Sequence, residues 1–393
     1  MRILVALTYY RPHTSGLTIY AERLSRALAA RGHEVTVLTS RYDPDTPLHE
    51  WREGVEVVRV PVAFRVSKGV IMPGFGRIAT RLVRSHDVLS LHLPQFDASG
   101  LALRGRRSKK PVLLTYHCDL HLPPGLFNWV VDRTVFLSNQ LAARWCDSIV
   151  AYTEDYATHS PFLSRHLDRI RVIPPPVDLP SPSASEVAAF REKWNPDGRR
   201  MIGMAARLAN EKGLEHLLEA LPRVRARFPG TRVLFAGQHE NVLGEEAYLR
   251  RLTPLLERER EHLDFVGVLD PHEMSLFYRN LDVLVVPSIN STESFGLVQV
   301  EAMLAGTPSI ASDLPGVRQP VRMTGMGEVF PVADSAALAE ALVRVLSDRE
   351  RYVVPRAKVE SLFSTARTAE LYEEAFLQLL AEKRSARGGE GGR

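Results

Sequence analysis

Ile3-Leu-Val-Ala-Leu7, then a loop with Pro12 and Gly16, then Leu17 to Arg31, then Glu34-Val-Thr-Val-Leu38: these residues decide the fold. The first run is short and continuously apolar, the mark of a strand buried on both faces. Leu17 to Arg31 places Tyr20, Leu24, Ala27 and Leu28 on one helical face. A second apolar strand follows at once. Strand, helix and strand at this spacing predict the right-handed crossover unit of a parallel sheet. Val112 to Thr115 and Ser148 to Ala151 add buried strands, and Thr153 reads as the N-cap of the next helix.

The stretch Ile173-Pro-Pro-Pro-Val-Asp-Leu-Pro-Ser-Pro-Ser cannot be helical and reads as a domain boundary. The pattern then restarts. Met201 to Met204 is a strand, and Leu214, Leu217, Leu218, Leu221, Val224 and Phe228 stripe one face of a helix. Val233 to Ala236, Phe265 to Val266, Leu281 to Val286 and Ser309 to Ala311 are further strands, with helices between them. The expected fold is α/β: two doubly wound, Rossmann-like parallel-sheet domains facing each other across a cleft, residues 1–180 and 181–364. Ligands of open α/β sheets bind beyond the carboxyl ends of the strands. The charged, Gly-rich tail 383–393 reads as disordered.

The chain has 393 residues, enough for two cores, and 45% of them are hydrophobic. A net charge of +4 argues against a generic nucleic-acid coat. Cys118 and Cys146 form no disulfide framework, which fits a reducing cytoplasm. The N-terminal apolar run is short for a signal peptide, and no stretch has the roughly 20 apolar residues of a membrane span. The expectation is a soluble cytoplasmic protein, at most seated on a membrane surface.

The strongest chemical signal is Glu293-Ser-Phe-Gly-Leu-Val-Gln-Val-Glu301, directly after the strand at 281–286. Two carboxylates bracket a turn that opens a helix near Phe295. Gly296 lets the backbone approach a ligand, and the amides of Phe295, Gly296, Leu297 and Val298 suit an anion. Glu301 can accept two hydrogen bonds from a vicinal diol such as ribose, and Glu293 can bind the hydroxyls of a second sugar. Taken alone, two glutamates read first as a capped helix with solvated carboxylates; the whole pattern, with a strand directly before it, turns the reading to a binding site. The second signal is Arg207-Leu-Ala-Asn-Glu-Lys212-Gly213, in a loop that leaves a strand. A departing nucleoside diphosphate needs neutralising charge, from a metal or from fixed cations such as these. His117-Cys-Asp-Leu-His121 holds metal-ligand residue types, but it leaves a strand, where a helical His spacing does not apply. His117 either faces a ligand or is a satisfied structural histidine. Gly16, just before a helix, can let the backbone near a phosphate. No dinucleotide G-x-G-x-x-G follows the first strand.

With these residues in hand, the chain resembles glycosyltransferase family 4, retaining enzymes of the GT-B architecture. The likeness runs nearly end to end. It includes Arg31-Gly-His-Glu-Val-Thr-Val37, the Pro-rich turn at 174–179, Arg207 with Lys212-Gly213, and Glu293 to Glu301. The resemblance implies transfer of a sugar, with retention, from a UDP- or GDP-sugar to a sugar, lipid or small-molecule acceptor bound mainly by the first domain. Arg207 and Lys212, with no Asp-rich loop beside the expected sugar site, predict catalysis without a metal or other cofactor. The resemblance further implies that Arg207 and Lys212 hold the diphosphate and Glu301 the ribose. Glu293 and the amides of Phe295 to Val298 would hold the donor sugar and distal phosphate. The backbone near Leu269 would read the base, and His117 would line the reaction centre. A last helix, about 365–382, would cross back to the first domain. Two positions depart from the family pattern: Ser15-Gly16 stands where two glycines are usual, and Ala206 where glycine often precedes the arginine.

Rival readings are a nucleotide-sugar epimerase on the same plan and a non-catalytic sugar-nucleotide-binding protein. Two acid-free basic stretches, Ala63 to His86 and Arg104-Gly-Arg-Arg-Ser-Lys-Lys110, fit either peripheral contact with an anionic surface or solvated loop faces.

Overall fold

The inner strands near the N-terminus are apolar without alternation because almost every side chain on them is buried. The computed structural model describes residues 1–66, 69–120, 125–242 and 244–390. The chain divides into two units: Met1–Pro176 with the segment from Ser364 onward, and Val177–Phe363.

The first unit runs β1 (Arg2–Ala6), α1 (Gly16–Ala30), β2 (Glu34–Arg41), β3 (His49–Arg52), β4 (Val55–Pro61) and a hairpin of β5 (Phe64–Val66) and β6 (Gly69–Ile71). It continues through α2 (Phe75–Ser85), β7 (Val88–Leu93), α3 (Ala98–Arg107), β8 (Val112–Tyr116), α4 (Leu126–Trp145), β9 (Ser148–Ala151), α5 (Glu154–His159) and β10 (Ile170–Val172). Its eight-stranded sheet has the order β10-β9-β8-β7-β1-β2-β4-β3, parallel except for β3 against β4. Strand order reverses direction between β7 and β1, so the loops after these strands flank a switch point. Helix α1 opens on a capping box: Ser15 accepts from the Thr18 amide while Thr18 accepts from the Ser15 amide. Thr153 caps α5 by accepting from the Tyr156 amide.

The second unit runs α6 (Ala184–Trp194), β11 (Met201–Ala205), α7 (Leu214–Arg227), β12 (Arg232–Ala236), α8 (Glu246–Glu259), β13 (Leu263–Gly267), α9 (Pro271–Arg279) and β14 (Val283–Val286). Then come α10 (Leu297–Leu304), β15 (Ser309–Ser312), α11 (Gln319–Thr324), β16 (Gly327–Phe330), α12 (Ser335–Ser347) and α13 (Arg356–Phe363). The six-stranded sheet is wholly parallel, in the order β13-β12-β11-β14-β15-β16, with its switch point between β11 and β14. Leu214, Leu217, Leu218, Leu221 and Val224 of the expected stripe are buried in this unit's core with β11 and β12 side chains such as Ile202 and Phe235, while Phe228, one residue past the helix, is only partly buried.

The last helix, α14 (Thr365–Glu390), belongs to the first unit. Tyr372 shares hydrogen bonds of 2.7 Å with Tyr20 and with Thr115, and Thr368 donates to the Pro174 carbonyl. Glu373 accepts from Arg31 and bonds His33. The tail expected to be disordered from 383 is helical as far as Glu390. Ala381 to Arg387 are mostly strong helix formers, and Lys383 pairs with Asp147 at 2.6 Å, which ties the extension down.

Candidate active site

Two loops of the second unit meet at its switch point. One leaves β11, the other leaves β14. After β11 the Ala206 amide donates to the Ala236 carbonyl at 2.9 Å. A Cβ at Gly237, whose φ is +132°, would stand 2.0 Å from the Ala206 carbonyl oxygen. The glycine required by this close approach is therefore Gly237, and Ala206 fits beside it. The loop turns through Asn210–Lys212 and Gly213 into α7. Gly213 has φ +67°, and a Cβ there would lie 2.2 Å from the Pro287 carbonyl oxygen. The Ile289 amide donates to the Glu211 carbonyl at 3.0 Å, so backbone bonds hold the two loops together.

This contact brings Lys212 to Glu293. The Lys212 Nζ donates to Glu293 Oε2 at 2.6 Å, both side chains one-fifth exposed. The other oxygen, Oε1, accepts from the Gly296 amide at 3.0 Å. Glu293 therefore joins the cation loop to the start of α10. That helix begins at Leu297 rather than near Phe295, because Gly296 takes a left-handed conformation with φ 78°. Phe295 is buried, its ring packed edge-on to Phe363 at 5.7 Å, so its side chain belongs to the core. The Gly296 amide is engaged by Glu293. Leu297 and Val298 supply the first amides of α10, where no intrahelical acceptor exists.

Arg207 projects from the same loop, half exposed, and pairs with Glu211 at 3.0 Å. Both cations thus carry a carboxylate partner. Glu301, one turn into α10, accepts from the Tyr278 hydroxyl at 2.9 Å. Tyr278 is buried on α9, and its carbonyl accepts from the Thr307 hydroxyl. Sequence reasoning missed Tyr278: no spacing rule connects it with a carboxylate on another helix. Leu269 lies two residues past β13, beside the exposed Val268 and before the Asp270 cap of α9. The neighbouring loop reaches it through a 2.7 Å bond from the Gly237 amide to the Gly267 carbonyl, and His239 stacks on Phe265 at 4.5 Å.

Gly16 and His117 lie in the first unit. Gly16 is exposed as the first residue of α1, after β1 at that unit's switch point. Ser15 beside it is the N-cap, which gives the departure from a glycine pair a structural purpose. His117, expected to face a ligand or to be structural, is buried with both ring nitrogens engaged inside the unit. Its Nε2 bonds His92 Nδ1 at 2.8 Å and its Nδ1 bonds the Tyr152 hydroxyl. Tyr20 lies edge-on to the His117 ring and stacks on Tyr152. Burial holds His117 well below the usual histidine range and pulls His92 down to about 3, so both rings are neutral. His121, the other end of the considered metal pair, lies outside the described residues.

Two α/β units built on mainly parallel sheets, one with cations and carboxylates at its switch point, are the plan of GT-B glycosyltransferases. Residues 186–360 match the family described as glycosyl transferases group 1, and residues 14–180 match glycosyltransferase family 4. The chain is 30% identical over 364 residues to the D-inositol 3-phosphate glycosyltransferase of Xylanimonas cellulosilytica, covering 86% of this chain and 84% of that one. It is 29% identical over 366 residues to the phosphatidyl-myo-inositol mannosyltransferase of Mycobacterium leprae, covering 91% of each. Anabaena Alr3699/HepE, solved in complex with UDP, superposes with a TM-score of 0.76 at 18% identity, over 96% of this chain and all of that one. The chain belongs to glycosyltransferase family 4 and is a glycosyltransferase.

Proposed function

We propose that this glycosyltransferase takes its sugar from a UDP- or GDP-linked donor and transfers it with retention of configuration, with no metal or other cofactor, in the cytoplasm. The observation that carries the reading is the Lys212–Glu293–Gly296 junction at the switch point. A donor diphosphate laid over the start of α10 meets the Leu297 and Val298 amides and exchanges places with Glu293 as the partner of Lys212. Arg207 adds a planar fork, and the two cations supply the charge that a metal would otherwise bring. Glu301, oriented by Tyr278, takes the ribose diol, and the backbone at Leu269 meets the base. The complexes of HepE with UDP and with UDP-glucose support a nucleotide-linked donor.

In this reading the bond between the anomeric carbon and the β-phosphate oxygen breaks. The acceptor oxygen bonds to that carbon on the same face, and its proton passes to the leaving phosphate. Glu293 orients the sugar and forms no bond to it. His117 takes part by exchanging the Tyr152 hydroxyl for a sugar hydroxyl. The acceptor is a sugar, lipid or small molecule, and the first unit contacts a membrane surface peripherally.

The test is a transfer reaction read by proton NMR of the anomeric signal, with and without chelator. Retained configuration and transfer that survives chelator are expected. An inverted product, a glycosylated Glu293 by mass spectrometry, or loss of turnover restored by magnesium contradicts the reading.

A further inference from the structure

The first unit carries an apolar surface that the proposed donor site does not use. Helix α4 opens Leu126-Phe-Asn-Trp-Val-Val-Asp-Arg. Leu126, Phe127, Trp129, Val130 and Leu137 are 80%, 60%, 56%, 49% and 60% exposed. Leu126, Trp129, Val130, Arg133 and Leu137 recur at helical spacing and form one stripe. A helix of a globular domain normally turns such a stripe inward. Here no residue from 126 to 137 is buried, and the buried positions of α4 are the small or polar Ser138, Asn139, Ala142 and Ala143. A contiguous apolar surface of this kind marks a contact face.

Helix α2, on the other side of α3 from α4, supplies charge. On α2, Arg77, Arg81 and Arg84 are exposed one turn apart and line a groove of about 610 Å³ with Thr80 and Ser85. Helix α2 has no acidic residue, and these arginines form no ion pair among the described residues. A second groove of about 420 Å³ joins the two helices: Phe75 and Gly76 of α2, the half-exposed Phe96, and Leu137 and Leu141 of α4 line it together. The Arg104–Lys110 stretch is less available. Arg104 bonds Thr80 and the Gly100 carbonyl, Arg106 reaches the Arg144 carbonyl, and both sit in the last turn of α3, where cations favour the helix end.

We propose that this face seats on an anionic lipid leaflet, with the first turns of α4 entering the boundary between headgroups and acyl chains and the α2 arginines meeting lipid phosphates. The inference rests on the reading that the first unit touches a membrane, and adds the element that enters it. Asp97 lines the shared groove, where burial pushes its carboxyl up to about 6, and Asp132 lies on α4, so the three α2 arginines, unpaired among the described residues, set the charge of the face. An apolar stripe with cations across α3 complements an anionic bilayer better than an acidic soluble partner, which would leave the stripe wet. Trp129 has an apolar body and a donor edge, and the Arg133 guanidinium lies 5.7 Å from its ring, a pairing suited to an interface. Among the described residues no helix is long and apolar enough to cross a membrane, so α4 lies on the leaflet.

The test is co-sedimentation of the full chain with phosphatidylglycerol–phosphatidylcholine vesicles and with phosphatidylcholine alone, together with tryptophan emission. Binding to the anionic vesicles only is expected, with a blue shift that Trp129→Phe abolishes while still binding. A Leu126→Ser, Phe127→Ser, Val130→Ser variant should bind at least tenfold more weakly with an unchanged melting midpoint. Replacing Arg77, Arg81 and Arg84 by Ser should abolish binding at physiological salt. Full binding by the apolar variant with unmoved Trp129 emission overturns insertion and leaves electrostatic contact standing. No binding of the wild type to any vesicle overturns both. A lipid-free dimer that the apolar variant dissolves, without vesicle binding, overturns the proposal and assigns the face to a second copy. Should the apolar variant fail to fold, the Trp129 emission comparison decides alone.

Discussion

Glu293 bonds a lysine through one oxygen and a helix-opening amide through the other, so its position is set by geometry before any ligand arrives. Sequence identified the carboxylate and the cation but not their pairing, because the residues lie on loops after different strands. Glu301 repeats the lesson. Its place on α10 was legible from spacing, while its partner Tyr278 was not. Tyr278→Phe removes one hydrogen bond to a carboxylate and leaves the ring packed. Donor affinity should fall about two- to thirtyfold, as calorimetric titration with UDP and GDP would show, because a hydrogen bond of this kind contributes about 0.5–2 kcal/mol. His92 offers a pH test. Its folded-state value of about 3 lies below the ordinary 6.5, so the unfolded chain binds the extra proton between these limits. The contribution of neutral burial is complete above about pH 6.5 and is lost as pH falls toward 3, by up to about 1.4 kcal/mol per pH unit. Unfolding midpoints followed from pH 7 to 5 should fall more steeply in the wild type than in His92→Asn. Equal slopes would contradict neutral burial of His92.

Helix starts show what periodicity reads and what it omits. Thr153 announces α5 because a hydroxyl before an acidic first turn is a local signal. The start of α10 was placed about two residues early, since the left-handed Gly296 and the capping reach of Glu293 leave no mark on apolar spacing. Helix α1 is the instructive intermediate. Ser15 departs from the family's glycine pair, yet it completes a capping box with Thr18. Ser15→Ala should lower stability by about 1 kcal/mol in chemical denaturation, whereas Ser15→Gly should cost only a few tenths. Equal losses would mean that the cap contributes little and that the residue matters for other reasons. The outward stripe of α4 escaped sequence reading for a plain reason: apolar residues at helical spacing are ordinarily core.

At the scale of the whole chain, the apolar runs and the proline-rich break carried the two doubly wound sheets into view, because buried parallel strands need nearly unbroken hydrophobic segments. The order of strands was not legible. It emerges from which strands pair, and it places the loops after β11 and β14 at one switch point. The proposed function stands on that placement: in it, the second unit holds a nucleoside diphosphate through Lys212. Calorimetric titration of UDP and of GDP into the wild type and into Lys212→Ala tests it most directly. One of the two nucleotides should bind the wild type, and its affinity should drop about ten- to a hundredfold in the variant, the contribution of a charge-assisted bond of roughly 1.5–3 kcal/mol. Binding of neither nucleotide, or equal affinity for both proteins, would contradict the account.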